Sequence, residues 1–90
     1  MSSSRRFLLP GESTVFTTRV ASQTTLLFAV PPPDPGAFSP HFSWHKELCC
    51  EEDHEENAFQ ANISAAGALV TVRNLGNADP GPIQVFTDYI

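Results

Sequence analysis

Apolar residues recur at every second position along much of this chain, which is the pattern of strands with one buried side. Residues 59–64 and 68–75 show the alternation most clearly, and residues 83–90 predict a further strand at the end of the chain. Residues 14–20 and 24–30 are rich in β-branched and apolar side chains, which favour strands. The inward rows predicted in the second half are Phe59, Ala61 and Ile63, followed by Ala68, Val70 and Val72.

Proline and glycine clusters separate these runs. Residues 31–36 contain four prolines, which cannot join a hydrogen-bonded ladder, and residues 65–67 and 76–82 contain turn-forming glycines. Short strands separated in this way predict an all-β fold: a single small antiparallel β-sandwich, Ig-like or jelly-roll, of about six or seven strands. A Greek key and a simple meander would give the same spacing, so the strand order stays open.

The middle of the chain is predicted as a strand over 41–48 followed by an acidic loop over 49–57. A helix with Ser39 as its N-cap and Pro40 in its first turn is the alternative. Its acidic residues would crowd the C-terminal end, where the helix dipole disfavours negative charge, and several would be like-charged neighbours one turn apart. The strand is therefore the preferred interpretation.

Ninety residues support one domain with a thin core. The sandwich is expected to cover residues 13–90, preceded by an extended N-terminal arm over residues 1–12. That arm carries Phe7, Leu8 and Leu9, which have no partner strand in this interpretation. An arm of this kind is suited to dock on a neighbouring subunit.

Negative charge is concentrated in one segment. Six of the ten acidic residues, and one of the five basic residues, lie between Lys46 and Glu56, which accounts for the whole net charge of −5. The rest of the chain is neutral and offers no basic stripe, so we expect no nucleic acid as partner. The acidic segment is a possible recognition epitope for a basic partner, and such binding weakens with salt.

Targeting and membrane signals are missing from the sequence. No apolar run approaches the ~20 residues that cross a bilayer, and the apolar run Phe7–Leu9 is too short for a signal peptide, which needs roughly 7–15 apolar residues. We therefore expect a protein made in the cytoplasm, with no membrane partner and with reduced cysteines.

The stretch of residues 45–57 combines two histidines, two adjacent cysteines and several carboxylates, which suggests zinc. The candidate ligands are His45, Cys49 and His54, with Cys50 adjacent. Neighbouring cysteines point apart in an extended chain, however, and lack the usual ligand spacing. The alternatives are a thiol module, or no cofactor at all, with Cys49 buried at a strand end and the histidines solvated.

No catalytic constellation is recognisable: the chain lacks a G-x-S-x-G elbow and a Gly-rich phosphate loop, so we expect no enzyme. Phe38 and Trp44, close to the proline cluster, are candidates for a partner-binding or carbohydrate-binding surface, and core packing is the competing interpretation. Together with the arm, the partner-binding candidates are Phe7, Leu8, Leu9, Phe38 and Trp44.

Residues 69–76, LVTVRNLG, and residues 83–89, IQVFTDY, resemble the closing hairpin of small Ig-like or jelly-roll sandwiches. Similar modules occur in phage virions as decoration, adaptor and fibre proteins. The resemblance implies a structural protein of the virion that works by assembly, either as a homo-oligomer or bound to a capsid or tail subunit. The competing functions are the metal or thiol module and a ligand-binding or carbohydrate-binding sandwich.

Overall fold

The computed structural model describes residues 5–20, 23–30, 40–47, 51–76 and 81–89, and these contain eight strands. The strands are β1 (Arg6–Leu8), β2 (Ser13–Thr17), β3 (Gln23–Val30), β4 (His41–Lys46), β5 (Glu52–Asn57), β6 (Gln60–Ala65), β7 (Leu69–Asn74) and β8 (Ile83–Thr87). The described part of the chain has no helix of the length and apolarity needed to cross a membrane.

Two four-stranded antiparallel sheets form a sandwich. Sheet A has the order β1-β8-β3-β6, and sheet B has the order β2-β7-β4-β5. Apart from the β4–β5 hairpin, each connection carries the chain from one sheet to the other. This wrapping is the jelly-roll topology. The predicted all-β antiparallel sandwich is confirmed, with eight strands among the described residues instead of the expected six or seven. Of the Ig-like and jelly-roll forms that the sequence left open, the strand order matches the jelly-roll.

The core lies between the two sheets and is built from the inward rows of both. Ala68, Val70 and Val72 are buried, as the alternation predicts, and Phe42 is fully buried on β4. Each large side chain buried in this way contributes about 1.5–3 kcal/mol. The buried apolar cluster consists of Leu8, Phe16, Leu27, Ala29, Phe42, Trp44, Ala61, Ile63, Val70, Val72, Ile83 and Val85.

Phe59 departs from the predicted inward row. Ala61 and Ile63 are buried, but the Phe59 side chain is 51% exposed. The reason is that Phe59 precedes β6, in the short connection that takes the chain from sheet B to sheet A. Its carbonyl oxygen accepts a hydrogen bond from the Ala29 N–H at 2.9 Å, so the backbone is anchored while the ring points to solvent.

Residues 6–8 of the predicted N-terminal arm are part of the sandwich, so the expectation that Phe7 and Leu8 lack a partner strand is wrong, whereas Leu9 follows the strand. β1 pairs with β8, with Phe7 opposite Gln84 and Leu8 opposite Ile83. Leu8 is only 4% exposed and belongs to the core. With three residues, β1 is too short for a sequence pattern to mark it, and only its pairing with β8 makes it a strand.

The predicted acidic loop is also wrong over residues 52–57, which form β5. β5 pairs with β4 along its whole length, from His41 opposite Asn57 to Lys46 opposite Glu52. Because β5 is the edge strand of sheet B, its side chains are exposed or half-buried and show no apolar alternation. Backbone pairing with β4 therefore makes this segment a strand.

Asn74, at the end of β7, is a buried polar side chain that ties three segments together. Its Nδ2 donates to the carbonyl oxygens of Leu8 at 3.1 Å and Gly81 at 3.0 Å. Its Oδ1 accepts from the Gly76 N–H at 2.9 Å. The Asn74 amide thus connects β1 to both ends of the segment that joins β7 to β8.

Candidate interaction surface

The outward side of sheet A is apolar over three of its four strands, β1, β8 and β3, whereas the outward residues of β6 are polar. Backbone alternation places the apolar residues opposite the buried ones, on the surface of β1, β3 and β8. Phe7 is 57% exposed and Val30 is 37% exposed, while the other members are half-buried. This surface, here called the apolar face, consists of Phe7, Leu26, Phe28, Val30 and Phe86.

Strand pairing brings these residues side by side. Phe28 lies opposite Phe86, and their rings stack with centroids 5.1 Å apart. Gln84 lies between Phe7 on one neighbouring strand and Val30 on the other. An exposed aromatic and aliphatic cluster of this kind, with an amide among its members, is typical of the centre of a protein–protein interface.

Charged residues border the apolar face, and the guanidinium of one of them lies over a ring of the face. The guanidinium carbon of Arg5 lies 4.3 Å from the centroid of the Phe86 ring. Asp88 forms an ion pair with Arg19 at 3.0 Å and accepts from the Leu26 N–H at 2.9 Å. Partial burial opposes ionisation of Asp88, but the hydrogen bonds from Leu26 and Arg19 outweigh it and lower the pKa of the carboxyl.

The outward side of sheet B is different, because polar and charged residues dominate it. On β4 and β5 this side carries a ladder of histidines and acids: His45 Nδ1 lies 2.6 Å from Asp53 Oδ1, and His41 Nε2 lies 3.9 Å from Glu55 Oε2. The hydrogen bond to Asp53 is the main cause that raises the pKa of His45 above its ordinary value. The outward side of β4 and β5 is therefore polar, with paired histidine and acidic side chains.

The opposite side of the β4–β5 hairpin places another histidine against the core. The His54 ring stacks on Trp44 with centroids 4.4 Å apart. The Glu52 carboxylate lies between two basic side chains: its Oε2 is 3.1 Å from His54 Nε2, and its Oε1 is 3.7 Å from Lys46 Nζ. The hydrogen bond with His54, followed by the charge of Lys46, lowers the pKa of Glu52.

The candidate zinc ligands are not brought together among the described residues. Trp44 pairs with His54 and His45 pairs with Asp53, so the two histidines project to opposite sides of sheet B. The described residues contain no group of three histidine, cysteine or acidic side chains arranged to hold a metal ion. Cys49 and Cys50 lie outside the described ranges.

The candidate partner-binding residues separate into three groups. Phe7 lies on the apolar face, and Leu9 is 50% exposed just after β1. Leu8 and Trp44 are buried in the core, so neither presents a face to a partner or a sugar, although Trp44 Nε1 donates to Glu56 Oε1 at 3.4 Å. Phe38 lies outside the described ranges.

The sequence interpretation missed four members of the apolar face: Leu26, Phe28, Val30 and Phe86. The signal for the first three was the unbroken apolar run over residues 26–30, because a strand with one solvent-exposed side should alternate between apolar and polar residues. Such a run indicates a strand that is apolar on both sides. Phe86 had no comparable signal, since a single aromatic residue within a short strand is equally consistent with a core position.

No protein-family model matches this chain, and neither a curated protein nor a solved structure matches it.

Proposed function

We propose that this protein is a non-enzymatic assembly module in which the apolar faces of two copies pack against each other. The observation that carries the proposal is the apolar face itself, with Phe7 and Val30 exposed beside the stacked pair of Phe28 and Phe86. Aromatic side chains and arginines supply a large share of the binding energy in protein interfaces, and here the Arg5 guanidinium lies over the Phe86 ring.

A second copy is an occupant that the charge distribution allows. Each chain carries a net charge of −5, so two copies repel each other unless their acidic segments stay apart. The acidic strand β5 belongs to sheet B, in the layer that faces away from the apolar face. Packing of two apolar faces leaves both β5 strands in the outer layers of the pair and removes the apolar residues from water. A two-fold pair of this kind uses the same patch on both subunits.

In its most concrete form, the proposal makes the protein a small virion component that assembles with neighbouring copies on a capsid or tail. What supports this form is the strand order, because jelly-roll sandwiches build viral capsids as well as lectin domains. Fold alone does not specify function. The experiment below therefore addresses self-association through the apolar face, on which the proposal depends.

The test compares the wild-type protein with the double variant Phe28→Thr, Val30→Thr. Threonine keeps the strand preference while removing the apolar surface. A matched control, Val15→Thr with Leu69→Thr, removes exposed apolar residues from sheet B, where these side chains are 47% and 43% exposed. Sedimentation equilibrium over a range of concentrations measures the dimer dissociation constant, and circular dichroism reports that each variant is folded.

We expect a dimer of the wild-type protein and of the control, with the dimer dissociation constant raised at least about tenfold in the Phe28→Thr, Val30→Thr variant. The dimer should persist at high salt, because apolar contacts do not depend on charge. A wild-type protein that stays monomeric throughout, or a face variant that associates as tightly as the control, would overturn the proposal.

A further inference from the structure

The two lateral edges of the sandwich carry opposite charge. At one edge, β1 of sheet A lies beside β2 of sheet B, and Arg5 and Arg6 stand on or next to β1. At the other edge, a short connection joins β5 to β6, and β5 carries the exposed acids. Both edges end in strands that pair on one side only within the described part of the chain.

The two guanidinium groups at the β1 edge are held in place but are not neutralised. Arg6 Nη1 donates to Thr14 Oγ1 at 2.6 Å and to the Val15 carbonyl oxygen at 3.0 Å. Arg5 Nη1 donates to Gln84 Oε1 at 3.3 Å. Over the described ranges neither arginine forms an ion pair, although each guanidinium has five N–H donors. Positioned donors therefore remain for carboxylates from outside the chain.

An open groove of about 430 Å³ runs between β1 and β2 at this edge. Its one carboxylate, Glu12, accepts from the Leu9 N–H at 2.7 Å and forms no ion pair with either arginine among the described residues. The groove is lined by Arg5, Arg6, Phe7, Leu8, Glu12, Ser13 and Thr14. It combines positive charge, an exposed aromatic ring and an open strand edge, which suits an extended acidic segment.

The acidic strand at the opposite edge has the complementary properties. The side chains of Asp53 and Glu55 are 84% and 71% exposed. Their partners within the described residues are His45 and His41, so these acids face no permanent positive charge there. β5 is already extended, so it need not be ordered on binding.

We propose that the β1–β2 groove of one copy binds the β5 strand of a second copy, head to tail. This inference rests on the proposed function in one respect, that the protein assembles with copies of itself. It uses the β1–β2 groove, which shares Phe7 with the apolar face and Arg5 with the border of that face. Because the two contacting edges differ, the contact is heterologous and extends into rings or open chains of subunits. The apolar face provides a two-fold contact, and the edges provide the lateral one.

The test uses the full chain in the Phe28→Thr, Val30→Thr background, so that packing of the apolar faces is removed while the groove is intact. One variant adds Arg5→Gln and Arg6→Gln, and another adds Asp53→Asn and Glu55→Gln. A control adds Arg19→Gln, which removes a positive charge that Asp88 already neutralises. Sedimentation velocity and native mass spectrometry at ~20 mM and ~500 mM salt separate charge-dependent from charge-independent association.

We expect salt-sensitive oligomers in the background protein and in the control. Association should be about tenfold weaker in each edge variant, and no weaker, because each surface ion pair contributes only modestly to binding. An equimolar mixture of the two edge variants should form pairs that stop at two chains, because each variant keeps one wild-type edge. No effect of either edge variant, or an equal effect of Arg19→Gln, would overturn the inference. The apolar-face proposal is judged separately by its salt-resistant dimer.

Discussion

Replacing Asn74 with aspartate tests whether one buried amide holds the β1 edge to the rest of the sandwich. Asn74 is 1% exposed, and its Nδ2 donates to the carbonyl oxygens of Leu8 and Gly81. Aspartate has the same size and shape and keeps an acceptor for the Gly76 N–H. It has no donor when ionised, so it places a charged oxygen against two carbonyl oxygens.

The expected loss follows from these two contacts. A buried polar group left without its partner costs about 1–3 kcal/mol, so two carbonyl oxygens amount to about 2–6 kcal/mol. That is a large fraction of the about 5–15 kcal/mol that stabilises a domain of ordinary size. Protonation of the introduced carboxyl restores one O–H donor, so the loss should become smaller at acid pH.

Urea unfolding measures this free energy, with the fluorescence of Trp44, the single tryptophan, reporting on the core. The matched control is Asn62→Asp, which makes the same chemical change on the exposed side of β6 and should stay within about 0.5 kcal/mol of the wild type. Equal unfolding midpoints for the two aspartate variants would refute the assigned role of Asn74.

Two further predictions follow from burial and from the histidine–acid ladder. Phe42→Ala should lower the free energy of unfolding by about 3–5 kcal/mol, because Phe42 is fully buried. Phe59→Ala, at a ring that is 51% exposed, should lower it far less in the same urea assay. Equal losses in the two variants would contradict the assignment of Phe42 to the core. Asp53→Asn should return the pKa of His45 toward 6.5, measured by NMR titration. The pair of His45 and Asp53 stabilises the fold at pH values below the ordinary pKa of histidine, and this stabilisation is lost as the pH rises through the raised pKa of His45 in the folded protein. The Asp53→Asn variant should therefore show a flatter dependence of stability on pH. An unchanged His45 titration would count against the assigned hydrogen bond.

The sequence alone predicted the strand-rich architecture and much of the core. Alternation identified β6 and β7, and the buried row of Ala68, Val70 and Val72 appears as expected. These features are predictable because the side-chain period of a strand is a local property of the backbone. The concentration of negative charge was equally visible, although its conformation was not.

Only the tertiary structure decided which strands are neighbours. β1 and β5 carry no sequence pattern of their own and become strands by pairing with β8 and β4. The jelly-roll order was open for the same reason, since alternation shows which residues share one side of a strand but not which strand lies beside it.

The proposed surfaces depend on the same long-range pairings. Phe7, Phe28 and Phe86 form one face because β1, β8 and β3 are adjacent in sheet A, although these residues are far apart along the chain. The arginine edge and the acidic edge likewise lie on opposite sides of the sandwich because of strand order. Local sequence determined the character of each residue, and pairing between distant strands determined which residues act together.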